Sequence, residues 1–185
     1  MKIIQVISSL GKGGAERLVV DLCNKFSTEK DVEIVLCVYN EKNNEPTFKN
    51  ELLKSVKYIN LNKQNKSSLL FQIAVFRFLL KEKPDVVNSH LSGAVIYLYI
   101  PLLFLRKILF FHTVHNLAVE ETTTPYLQKL RKVIYKTKKL TPISISKITK
   151  LSHSKLYNID SELIYNGVNK TSSTGEFDSV ATEVN

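Results

Sequence analysis

Tryptophan is absent from this chain of 185 residues, and cysteine occurs twice, as Cys23 and Cys37. One cysteine sits in an apparent helix and the other in an apparent strand. Neither has the clustered spacing of a zinc or dithiol motif, so both are expected as buried free thiols in a reducing compartment. Long apolar runs are scarce too. The most apolar stretch, 93–105, meets Arg106-Lys107 after some 13 residues. A membrane-spanning helix needs about 20, so a buried or surface-inserted helix is expected there instead. No leader pattern precedes Lys2, and a signal peptide is not expected. There is no nucleophile elbow and no Ser-His-acid order, which leaves a hydrolase triad unsupported.

Acidic residues are missing from Thr122 to Ile159, while Lys129, Arg131, Lys132, Lys136, Lys138, Lys139, Lys147, Lys150 and Lys155 all fall in that stretch. It contributes much of the net charge of +9. A solvated helix face and an anionic membrane surface both account for it. Nucleic acid is not expected as a partner, because no recognised binding motif accompanies the charge.

What is present is an alternation of strand and helix. Lys2-Ile3-Ile4-Gln5-Val6-Ile7 is an apolar run without period, as in a strand buried on both faces. Gly11-Lys12-Gly13-Gly14 follows, a turn in which glycine permits positive φ and close approach of another group. A helix then runs to about Phe26, with apolar positions 15, 18, 19 and 22 expected on its buried face. Further strands are predicted at 32–38, 56–61, 85–90, 108–116, 140–146 and 161–165. Helices are predicted at 69–80, 125–139 and 147–157. Such a βα alternation predicts an α/β, mostly parallel sheet with helices on both faces. The apolar rhythm ends at Val168; 169–185 reads as a polar tail or linker.

In parallel sheets ligands collect at the carboxyl ends of the strands. Gly11 to Glu16, His90, His115, Ser144 to Ser146 and Asn166-Gly167 all follow predicted strands, which points to one cleft. The glycine turn is neither a dinucleotide fingerprint, since Glu16 stands where the third glycine belongs, nor a P-loop, since no Gly-Lys-Ser/Thr occurs. Glu16 in the first helical turn also suits the helix dipole. His112 and His115, three apart on a strand, face opposite sides, and a shared metal ion is not expected. His115 is the candidate for a ligand-facing group, His112 is expected to be structural, and His153 has no evident function.

Gly13-Gly14-Ala15-Glu16-Arg17, Asp85-Val86-Val87-Asn88-Ser89-His90, Thr113-Val114-His115-Asn116, Ile143-Ser144-Ile145-Ser146 and Ile164-Tyr165-Asn166-Gly167-Val168 occur in that order. Together they resemble the N-terminal half of glycosyltransferase family 4 (group 1), the retaining sugar-nucleotide-dependent enzymes of GT-B fold. The resemblance implies that residues 1–168 are a Rossmann-like, acceptor-side GT-B domain. It implies His115 as the catalytic residue at the transferred sugar. Gly13, Gly14, Glu16, His90, Asn116, Asn166 and Gly167 would be substrate-binding, with His90 on the acceptor side and Asn166-Gly167 at the crossing to a second domain. No metal and no cofactor beyond the nucleotide-sugar co-substrate are implied. The family's Glu-x7-Glu segment and pyrophosphate-binding Arg/Lys pair belong to a C-terminal donor domain absent from these residues, so this chain alone is not expected to transfer sugar. The implied acceptor is a cell-surface polysaccharide or lipid-linked glycan, at a cytoplasmic location peripheral to the inner face of the membrane. The alternative is a non-catalytic Rossmann-like module that binds a nucleotide or a partner.

Overall fold

The computed structural model describes residues 1–41, 47–64 and 66–167. The predicted polar tail at 169–185 lies outside them, as does part of the loop at 40–50. Seven strands form one sheet: β1 (Lys2–Ile7), β2 (Glu33–Val38), β3 (Lys57–Asn60), β4 (Val86–His90), β5 (Leu109–Val114), β6 (Leu140–Ser144) and β7 (Glu162–Leu163). Their spatial order is β3-β2-β1-β4-β5-β6-β7, and every neighbouring pair is parallel. The Rossmann-like α/β class read from the alternation is the fold observed.

The helices are α1 (Gly14–Phe26), α2 (Ser68–Glu82), α3 (Ser92–Val95), α4 (Tyr99–Phe104), α5 (Ala118–Glu121), α6 (Pro125–Lys136) and α7 (Lys147–Tyr157). α2 begins at Ser67, whose side chain accepts from the Leu70 amide, and stops at Lys83 in the left-handed conformation (φ 49°) before Pro84. The expected single helix over 93–105 is instead three short pieces, α3, a 3-10 turn at Ile96–Leu98, and α4. Its apolar surface packs on α2, with the Phe76 and Phe104 rings 6.0 Å apart. No helix among the described residues is long and apolar enough to cross a membrane.

Right-handed crossovers place the connections that step toward β3 on one face and those that step toward β7 on the other. α1 therefore packs on the first face, where Val19, Val20 and Cys23 meet Ile3, Ile7, Ile34, Leu36 and Val38. That buried stripe lies about one position beyond the one predicted, so Leu18 and Leu22 flank the core and line a cleft. α2, α4, α6 and α7 cover the opposite face through Phe71, Val75, Leu102, Tyr135 and Tyr157. Over β4 to β7 the first face carries no helix among the described residues. Both cysteines are buried and free, as expected; burial pushes the Cys23 thiol up to about 12.

Candidate functional site

The parallel register sets Gln5 of β1 beside Asn88 of β4, and His90 at the end of β4 beside Thr113 of β5. His115 lies one residue past the end of β5. These side chains form a hydrogen-bonded row across three strands. His90 Nε2 is 2.7 Å from Gln5 Oε1, and His90 Nδ1 is 3.0 Å from His115 Nε2. Asn88 Nδ2 stands 3.2 Å from His90 Nε2, while Thr113 Oγ1 donates to Asn88 Oδ1 at 3.1 Å. His90 is fully buried and Gln5 nearly so. Burial, reinforced by the neighbouring histidines, holds His90 well below its ordinary range. Burial also pushes His115 down to about 4, against the pull of the Glu121 carboxylate. Both rings are therefore neutral at pH 7.

Behind His115 lies a residue that the sequence did not single out. Glu121, in α5, is buried, and its Oε1 accepts from the backbone amides of His115 at 3.0 Å and Asn116 at 3.4 Å. Its other oxygen faces His112 Nε2 at 3.2 Å and Arg131 Nη1 at 3.5 Å. Burial raises the Glu121 pKa, but His112, Arg131 and the His115 amide outweigh it and hold the carboxyl below its usual range. One carboxylate thus ties the loop that presents His115 and Asn116 to two further elements. The signal was faint: Glu121 is the last acid before the acid-free stretch.

Arg131 corrects the charge reading. It is 1% exposed, so one of the nine cations assigned to a surface patch is an internal partner of Glu121. His112 is structural, as expected, with its Nδ1 facing the Ser89 hydroxyl at 3.1 Å and the Ser89 carbonyl at 3.2 Å. His112 packs on the sheet face opposite His90. His153 is also buried, between the rings of Tyr135 and Tyr157 at 4.9 and 4.7 Å.

Gly13, Gly14 and Glu16 form the start of α1 at the same sheet edge, and no hydrogen bond among the described residues joins them to the histidine row. No described glycine has positive φ, so the turn does not use the freedom expected of it. At Gly13 a Cβ would meet only the carboxylate end of the Glu16 side chain, which is flexible and can swing aside. Asn166 and Gly167 line a cleft of about 410 Å³ on the α1 side of the sheet, together with Gln5, Asn88 and Thr113. Ser144 and Ser146 have structural partners instead: Ser144 is buried against Ser161 Oγ at 2.6 Å, and Ser146 caps α7. Leu91, directly after His90, has φ 62° and ψ 155°. For leucine that conformation costs on the order of 1–3 kcal/mol and persists only where packing enforces it. Here its side chain packs against the α1-side core.

A parallel sheet with helices packed on it and buried polar side chains gathered toward its carboxyl edge defines a Rossmann-like α/β class. The model of Glycosyltransferase Family 4 matches residues 12–172, and the chain belongs to that family. None of the curated proteins matches it. Among solved structures, a glycosyltransferase from Rickettsia africae superposes with a TM-score of 0.69 at 20% identity, over 91% of this chain and 43% of that one. Anabaena HepE in complex with UDP and glucose gives 0.68 at 15%, over 91% and 45%. The lipopolysaccharide outer core galactosyltransferase WaaB in its apo form gives 0.57 at 17%, over 93% and 47%. At these identities the likeness is one of fold. The chain spans less than half the length of each.

Proposed function

We propose that this chain is the acceptor-side half of a retaining glycosyltransferase. It acts with a donor-binding half to move a sugar from a nucleotide-sugar onto a polysaccharide or lipid-linked acceptor. The observation that carries the reading is the support of His115 from two sides. Its ring is bonded to buried His90, and its backbone amide to buried Glu121, at a strand end of a family 4 chain. A side chain held in this way loses little freedom when a substrate docks. The complex of HepE with UDP and glucose, and the likeness to the galactosyltransferase WaaB, favour a nucleotide-sugar substrate.

In this reading neutral His115 contacts the transferred sugar. Asn116 stands beside it. Gly13, Gly14 and Glu16 form the donor-side rim, His90 acts through the His115 ring, and Asn166-Gly167 lead toward the second half. The test is His115→Ala in the complete enzyme. Loss of a positioned polar contact at the reacting centre costs roughly 100-fold in turnover, with circular dichroism unchanged. Near-normal turnover would make the histidine structural and remove the reading.

A further inference from the structure

The row that ends at His115 begins at Gln5, on a different strand and 85 residues from His90 in sequence. We infer that Gln5 is a positioning residue that, through His90, fixes which nitrogen of His115 carries the proton. A neutral imidazole has one N–H donor and one lone pair. The Gln5 carbonyl oxygen, 2.7 Å from His90 Nε2, is an acceptor and puts the His90 proton on Nε2. His90 Nδ1 is then a lone pair, and at 3.0 Å from His115 Nε2 it accepts that nitrogen's proton. His115 is left with a bare lone pair on Nδ1, which has no hydrogen-bond partner among the described residues. The Asn88 NH2, turned toward the same His90 nitrogen because Thr113 holds its oxygen, competes for it, but at 3.2 Å it is the longer contact.

The consequence is a chemical selectivity. A lone pair on Nδ1 accepts from a hydroxyl such as those of a sugar ring. It repels a phosphate or carbonyl oxygen that the opposite tautomer would attract. This step rests on the proposed sugar-transfer reading for its substrate, but not for its tautomer. Gln5 sits in the middle of a buried strand, where a nonpolar residue would fill the same volume without the hydrogen bond. The relay gives the amide a purpose there.

The test is the long-range proton–nitrogen spectrum of the histidine rings in the ¹⁵N-labelled full chain at pH 7, which reads each tautomer directly and needs no ligand. The expected result is His90 and His115 both protonated on Nε2. Gln5→Leu removes the acceptor and is expected to shift His115 from one tautomer to an exchanging mixture. In Gln5→Glu the carboxylate still accepts from Nε2, and the wild-type pattern is expected to stay. A wild-type His115 protonated on Nδ1, as would follow if the Gln5 amide turned and donated to His90 alongside Asn88, overturns the inference without touching the sugar-transfer reading. So does a Gln5→Leu spectrum with both rings unchanged. If the leucine variant does not fold, the wild-type and glutamate spectra still decide.

Discussion

His153 shows how a single buried ring couples this fold to pH. Burial, first among its causes, pushes its pKa down to about 4, whereas in the unfolded chain it titrates near 6.5. A histidine depressed in this direction must shed its proton to fold. Its contribution is therefore complete above pH 6.5 and declines as pH falls toward 4. For those two values the loss at pH 5 is on the order of 2 kcal/mol for this residue. His153→Phe keeps a ring between Tyr135 and Tyr157 and removes the proton. Urea unfolding at pH 7 and pH 5 should show the variant losing less stability than the wild type between the two. An equal loss would place the pH dependence elsewhere, in His90 or His115. From the sequence, His153 looked like one more polar residue in a basic helix. Its burial follows from α7 packing on α6, which no local pattern reports.

At the scale of elements, α7 is the one whose limits are most completely explained. The Ser146 hydroxyl accepts from the Thr149 amide at 3.1 Å, and Thr149 Oγ1 accepts from the Ser146 amide at 3.0 Å, a reciprocal cap. The helix closes at Asn158 in the left-handed conformation. Ser146→Ala should destabilise the domain by about 1 kcal/mol, seen as a lower urea midpoint with an unchanged slope. An unchanged midpoint would mean that other α7 contacts replace the cap. The predicted span of α7, 147–157, is the observed one, because both ends carry local chemistry. The stretch at 93–105 is the contrast. It is apolar on all sides, so its sequence marks burial without specifying where the helix breaks; packing against α2 decides that. α5 is four residues long and too short to show a period. Its Glu121 was therefore invisible as a site residue.

For the whole molecule, lysines and exposed apolar side chains alternate on the outer sides of α6 and α7. Tyr126 and Val133 are exposed on α6, with Lys129, Lys132 and Lys136 around them. On neighbouring α7, Ile148 and Leu151 are 69% and 70% exposed, beside Lys147 and Lys150. Apolar side chains interleaved with lysines suit the surface of an anionic membrane, where each cation contributes roughly 1 kcal/mol. We predict that the chain sediments with vesicles containing anionic lipid, that neutral vesicles leave it in the supernatant, and that raised salt releases it. Equal partition to both lipids would leave a solvated face.

The sequence by itself determined the order of the strands and the longer helices, the parallel α/β class and the positions of His90 and His115 at strand ends. Those features are written in apolar periods and turn residues a few positions apart. It also carried the family's motifs. The tertiary structure alone decided that Gln5 touches His90, that Arg131 leaves the surface to pair with Glu121, and that one sheet face carries no helix over β4 to β7 among the described residues. Each of these depends on the register and handedness with which distant strands are laid side by side, and a contact across 85 residues leaves no local trace.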